Sequence, residues 1–371
     1  MVMSHIAIDA RIINSSTGRY VERLLHYLQK VDIVNNYTVL VLEKDKDFWQ
    51  PTADNFSVVV ANFKQYSIGE QRGFKRLLDN LSPDLVHFCM PQQPVLYTGK
   101  KVTTIHDLTL LKVYNSDKNW LVYHFKQAVG HFVFKRVIAT STHIITPSDF
   151  SKNEIIAFSK RAEGKITTTH LAADLSTDIP EPYSLPFKQF IMYVGQQSDY
   201  KNLRRLGATH QRMIKKYPDL GLVLVGALND STKINQAFFT DKNYKNIVFT
   251  DYVPDAQLNW LYSEAIAYVF PSLMEGFGFP GLEAMGHGTP VVSSNATCLP
   301  EIYGDAAHYF DPNDTTDMAR AIDEVIDNGM LRKELIKEGY IRFKKYSWLE
   351  TAKQTQHIYL DALAEPEKFE G

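Results

Sequence analysis

The stretch Phe270-Pro-Ser-Leu-Met-Glu-Gly-Phe-Gly-Phe-Pro-Gly-Leu-Glu-Ala-Met-Gly-His-Gly-Thr-Pro-Val-Val-Ser-Ser-Asn-Ala-Thr-Cys-Leu-Pro300 carries the punctuation of a strand, a loop, a helix and a second strand. An apolar run at residues 265–270 reads as a buried strand. Gly276, Gly278 and Gly281 mark the loop, and Pro280 suits a first helical turn, where the amide hydrogen it lacks would have no partner. Gly288-Thr289-Pro290 stops the helix, and Val291-Val292-Ser293 opens the next strand. Glu275 therefore falls on the loop and Glu283 near the helix start. Unpaired amides at a helix N-terminus favour an anion, and glycines let a phosphate come close. Carboxylates are poor phosphate ligands but good acceptors for sugar hydroxyls, so one stretch combines an anion site with two sugar-binding acids.

Glu275-Gly-Phe-Gly-Phe-Pro-Gly-Leu-Glu283-Ala, two glutamates with seven residues between them, resembles the signature of glycosyltransferase family four, the retaining nucleotide-sugar transferases of GT-B architecture. Phe270-Pro271-Ser272, Gly288-Thr289-Pro290-Val291-Val292 and Leu299-Pro300-Glu301 fit the same pattern. The resemblance implies an α/β fold with two Rossmann-like domains facing across a cleft and a C-terminal helix crossing back to the first. It also implies transfer of a hexose from a nucleoside diphosphate to a hydroxyl of a glycan or lipid-linked acceptor, with retention at the anomeric carbon. The style of the N-terminal loop is similar to that of mannosyltransferases of polysaccharide or glycolipid synthesis, which favours GDP-mannose over UDP-glucose.

The same glycines satisfy a second pattern. Gly276-Phe-Gly278-Phe-Pro-Gly281, with Glu301 about 20 residues further on, matches a dinucleotide fingerprint. Against it, the glycines lie deep in the chain, Leu273-Met274-Glu275 separates them from the strand, and a proline interrupts the motif. A glycoside hydrolase could also use paired carboxylates, but would need them across a substrate with no nucleotide anion site. A non-catalytic sugar-nucleotide-binding protein would keep the glycines and lose the cation and the cleft histidine.

A chain of 371 residues, 44% apolar and 22% charged, is ordinary for a globular protein of two domains. The net charge of -2 gives no basis for nucleic-acid binding. Cys89 and Cys298 form neither a metal pattern nor a disulfide framework, which fits a reduced compartment. Met1-Val-Met-Ser-His has no signal-peptide character, and no apolar run is long enough to span a bilayer. The expectation is a cytoplasmic protein, with peripheral contact at the inner membrane face as an option; oligomeric state is open. Trp120, Tyr123, Phe125, Phe132 and Phe134, mixed with Lys118, Lys126, Lys135 and Arg136, could dock on anionic lipid. Core packing with snorkelling lysines accounts for the same helix.

Strands are expected at residues 5–9, 37–42, 57–61, 84–88, 101–105 and 143–146, with helices from about Gly18 and near 70–81, 120–139 and 150–159. This alternation predicts a parallel sheet covered on both faces. Ser176-Thr-Asp-Ile-Pro-Glu-Pro-Tyr-Ser-Leu-Pro186, with three prolines, is the expected link between a first domain at 1–180 and a second at 187–346. In the second, strands are expected at 190–194, 221–226, 246–249 and 265–270, and helices at 203–217, 315–328 and 330–346. A last helix within 347–371 is the one that crosses back.

The resemblance assigns roles residue by residue. Gly276, Phe277, Gly278 and Phe279 offer backbone amides to the donor, Glu283 accepts from the nucleotide ribose and Glu275 holds hexose hydroxyls. Gly195 and Lys201, in one turn, serve the donor, with Lys201 reaching the diphosphate; the family's usual arginine beside it is absent, with Gln196 and Tyr200 in its places. The loop after the first strand brings Gly18 and Arg19 to the donor and Arg11 and Tyr20 to the acceptor. His106 and Asp107, directly after a strand, line the acceptor side, His106 closest to the reacting sugar. No metal or other cofactor is expected: glycine amides, a helix N-terminus and Lys201 already serve the diphosphate. Asp311-Pro-Asn-Asp314 resembles a metal motif but reads as a helix-capping loop.

Overall fold

The computed structural model describes residues 3–15, 17–112 and 120–365, with only the backbone over 120–126. Lys118 and the side chains of Trp120, Tyr123, Phe125 and Lys126 lie outside this description. Contacts divide the chain into two units, one running to Leu171 and resuming at Ser347, the other Ala172–Tyr346. Each is a parallel-sheet α/β domain.

The first unit holds β1 (His5–Asp9), β2 (Asn36–Val41), β3 (Phe56–Val60), β4 (Leu85–Phe88), β5 (Lys101–Thr104), β6 (His143–Thr146) and β7 (Ile166–Thr168). They form one sheet in the order β3-β2-β1-β4-β5-β6-β7 with parallel pairing throughout. Parallel strands covered on both faces read as continuous apolar runs, as in Leu85-Val-His-Phe88, where all four residues are buried. The helix Gly18–Val31 returns against the sheet through Tyr20, Val21, Leu24, Leu25 and Leu28. Its start admits only glycine, since a Cβ at Gly18 would overlap the Ile13 carbonyl oxygen. The sequence reading has no strand at β7, an edge strand too short for a period to emerge from Lys165-Ile-Thr-Thr-Thr. In the helix Trp120–Thr140, Phe134 and Ile138 join the core while Phe132 is exposed.

The C-terminal helix Trp348–Ala364 packs on the Gly18–Val31 helix and on β4, β5 and β6. Lys100 Nζ donates to Leu363 O at 2.7 Å, and the Tyr359 hydroxyl lies 2.6 Å from His87 Nδ1. The helix expected to cross back thus completes the first domain.

The second unit holds β8 (Gln189–Val194), β9 (Leu220–Val225), β10 (Ile247–Phe249), β11 (Ala267–Phe270), β12 (Val291–Ser294) and β13 (Ala307–Phe310), ordered β10-β9-β8-β11-β12-β13. All pairings are again parallel. Within the proline-rich stretch, Asn259 Nδ2 donates to Asp178 O at 2.9 Å and Glu181 N to Ala256 O at 3.0 Å, fastening it to this unit. In both sheets the strand order reverses beside the first strand, between β1 and β4 and between β8 and β11. Open α/β sheets bind ligands at the carboxyl ends of strands flanking that point.

His87 and His210 are fully buried and His106 is half-buried. Burial pushes His87 down to about 3, His106 to about 4 and His210 to about 4, the last two despite bonds to carbonyl oxygens that favour the charged ring. Unfolded, each takes up a proton near 6.5. The unfolded state therefore binds more protons below that value, and stability is lost as pH falls from about 6.5 towards about 3. Denaturant midpoints measured from pH 7.5 down to about 3 should fall across this window; a flat profile would show that the rings are not held neutral.

Candidate active site

At the carboxyl end of β8 the chain enters Gly195-Gln-Gln-Ser-Asp-Tyr-Lys-Asn202, and at that of β11 it enters Pro271-Ser-Leu-Met-Glu-Gly-Phe-Gly278. Two bonds tie these loops together: Leu273 N donates to Tyr200 O at 2.8 Å, and Asn202 Nδ2 to Pro271 O at 3.0 Å. Asn202 adopts φ 62°, a conformation asparagine tolerates, and its amide also reaches Pro312 O at 2.8 Å. The result is that Lys201 and Glu275, 74 positions apart, meet with Nζ 2.5 Å from Oε1. Their side chains are only 13% and 12% exposed. Burial works against the Lys201 charge, but Glu275, Tyr193 and Tyr200 outweigh it and raise its pKa above the ordinary lysine range. Lys201 also lies over the rings of Tyr200 (5.0 Å) and Phe270 (5.6 Å).

The Phe279–Gly286 helix starts directly after this pair, with Pro280 in its first turn and Gly278 at φ 100° as its cap. Gly278 is glycine twice over: for that dihedral, and because Tyr303, whose hydroxyl donates to Gly278 O at 2.6 Å, occupies the space of a Cβ. Phe277 is buried, its ring edge-on to Phe279 and Tyr346. Glu283, 8% exposed, accepts from the Tyr262 hydroxyl at 3.2 Å, and the His287 ring stacks on the Tyr262 ring at 5.1 Å. Gly195, at φ 137°, ends β8 with its N–H on Val225 O.

In the first unit, His106 follows β5, and its Nε2 donates to Cys89 O at 3.2 Å. A carbonyl only accepts, so Nε2 carries the proton and the neutral ring keeps Nδ1 as its acceptor. Tyr20 meets His106 edge-on at 4.9 Å and is 1% exposed, its hydroxyl 2.9 Å from Thr104 Oγ1. Asp107 accepts from Thr109 N at 2.8 Å, Arg19 is exposed, and Gly18 heads its helix. Arg11, expected on the acceptor side, is instead 3% exposed. Its guanidinium bonds Asp9 at 2.7 Å, Glu70 at 2.9 Å and Phe63 O at 3.0 Å, over the Phe74 ring. Its charge is met within the fold.

Asp314 accepts from Thr316 N and Asp317 N and so caps the helix Thr315–Asp327, the role read from sequence. Among the described residues, no group of three or more His, Cys, Asp or Glu side chains is placed to hold a metal ion. Sequence reading missed Tyr303, Tyr262 and the loop Asn295-Ala-Thr-Cys298. Thr297 Oγ1 accepts from Glu275 N and the Cys298 thiol donates to Glu275 O, each at 3.2 Å. The signal was the Leu299-Pro300-Glu301 motif beside them, read only as family pattern.

Residues 17–177 match the family described as Glycosyltransferase Family 4, and residues 179–342 match Glycosyl transferases group 1. O-antigen chain mannosyltransferase B of Escherichia coli is 32% identical over 70% of this chain and 70% of its own length. The serotype-specific mannosyltransferase WbdA of Escherichia coli is 24% identical over 93% of this chain, which spans only 44% of that longer protein. Among solved structures, Anabaena HepE in complex with UDP and glucose superposes with a TM-score of 0.74 at 15% identity, covering 97% of this chain and 100% of HepE. That likeness is one of fold.

Proposed function

The chain belongs to glycosyltransferase family four, and on that premise we propose that it moves mannose from GDP-mannose to a hydroxyl of a glycan or lipid-linked glycan, with retention and without a metal ion. The mannosyl reading is supported by the names of relatives such as these two. The single observation that carries the site is the Lys201–Glu275 pair at the carboxyl ends of β8 and β11, beside the start of the Phe279–Gly286 helix.

In this reading the diphosphate lies against the amides of 276–279, with Lys201 as counter-charge. Phosphate then competes with Glu275 for the ammonium, and the freed carboxylate accepts from hexose hydroxyls. As the glycosidic bond breaks, charge grows on the departing diphosphate, where Lys201 and the helix N-terminus stabilise it. The acceptor approaches on the same face and the leaving phosphate takes its proton. His106 of the first unit, neutral at physiological pH, keeps Nδ1 as an acceptor suited to a sugar hydroxyl. A lipid-linked acceptor would bring the protein to a membrane surface; no described helix is long and apolar enough to cross one.

The test is product formation from GDP-mannose and UDP-glucose with an alkyl α-mannoside. Mannoside from GDP-mannose is the expected result; use of UDP-glucose alone would overturn the donor. No product from either, with nucleotide still bound, would favour a binding protein. Glu283 supplies a separate check. Glu283→Ala should weaken GDP binding by about 1–3 kcal/mol, the scale of a hydrogen bond to a charged group. Unchanged calorimetric affinity in a variant that melts like wild type would remove Glu283 from the ribose.

A further inference from the structure

We propose that Thr297 is a positioning residue, strained by the fold in order to aim Glu275; this rests on the reading of Glu275 as the hexose-binding acid. Thr297 adopts φ 57° in the loop between β12 and the short helix Leu299–Tyr303. Among the described non-glycine residues at positive φ it is the only β-branched one, the others being Tyr66, Ser82, Asn202, Asn243, Asn246 and Asp251. A β-branched side chain is the worst fit to that region, and glycine would take the turn without strain. Such strain persists only where the surroundings impose it, and functional sites are where it collects.

What threonine has and glycine lacks here is the hydroxyl, which accepts the Glu275 N–H at 3.2 Å. The adjacent Cys298 thiol takes the Glu275 carbonyl at 3.2 Å. Consecutive side chains thus grip both peptide groups of one residue. Glu275 needs such a grip because residues 271–278 belong to no strand or helix. The grip fixes the direction in which the carboxylate leaves the backbone, towards Lys201. A misplaced catalytic contact is costly: about 1 Å of error can lower turnover on the order of 100-fold.

The experiment compares Thr297→Ser, Thr297→Val and Thr297→Gly for release of GDP from GDP-mannose or UDP from UDP-glucose, whichever the wild type uses. Glu275 amide hydrogen exchange, read by NMR, needs no turnover. Serine keeps the hydroxyl and should hold wild-type kcat and slow exchange. Valine and glycine should lower kcat on the order of 10- to 100-fold with donor KM little changed, and should speed exchange at Glu275. Glycine also removes the strain, so its Tm should equal or exceed that of wild type while its kcat falls, a split that a purely structural residue would not give. Should valine fail to fold, glycine and serine carry the comparison. Wild-type kcat in Thr297→Gly, or Glu275 exchange unaltered by loss of the hydroxyl, overturns the proposal. Glu275→Gln in parallel separates the two ideas: if it turns over normally the reading of the site fails and this proposal with it, whereas if only the Thr297 variants are normal the positioning role alone is wrong.

Discussion

Lys201→Ala is expected to lower kcat/KM for the donor by about 100- to 1000-fold, the scale for removing one preorganised group that meets charge developing in a transition state. The same change should weaken binding of free GDP, because the diphosphate is the proposed partner of the ammonium. It should also cost stability. Lys201 and Glu275 are almost withdrawn from water, and taking one member from a buried pair strands the other, at about 3–5 kcal/mol. Assays are therefore run well below the variant's Tm, where lost turnover reports on chemistry. Wild-type turnover should meanwhile persist in excess EDTA. If chelation stopped the reaction and magnesium or manganese restored it, the leaving group's counter-charge would come from a metal, and Lys201 would be a structural lysine.

Glu275→Gln should produce the opposite pattern at the nucleotide. Glutamine is nearly the same shape and keeps an oxygen for Lys201, but it loses the charge-assisted hydrogen bonds to hexose hydroxyls. Turnover should drop on the order of 100-fold or more, with GDP affinity held within about threefold, under ~1 kcal/mol. Removing the carboxylate also frees Lys201 from its competitor, so GDP binding has no reason to weaken. If Glu275→Gln lost GDP affinity while keeping turnover on bound donor, Glu275 would belong to the phosphate side and the division of roles would be wrong.

Local rules made much of this molecule legible. Gly278 and Pro280 announce a helix that starts tightly after a loop, and the helix begins there at Phe279. Asp314 announces a cap and is one. The Gly18–Val31 helix begins at the glycine that ends the polar loop after β1, since nothing larger fits under the Ile13 carbonyl. What could not be read depends on distant pairing. Lys201 was placed by its turn, but its partner is fixed only by β8 lying beside β11, a neighbour relation no local period reports. Arg11 follows a strand into a polar loop and so reads as exposed; Asp9 and Glu70 draw it inside, and Glu70 is far along the chain. Thr297 runs against its own propensity, so a reading built on propensity passes over it.

One-face transfer from a nucleoside diphosphate hexose leaves its mark in the anomeric configuration of the product. With GDP-α-mannose as donor and an alkyl α-mannoside as acceptor, NMR of the isolated disaccharide should show an α-linked mannose. A β-linked product would mean inversion, which requires attack from the face opposite the diphosphate and a protein base that the Lys201–Glu275 arrangement does not supply, and would contradict the account.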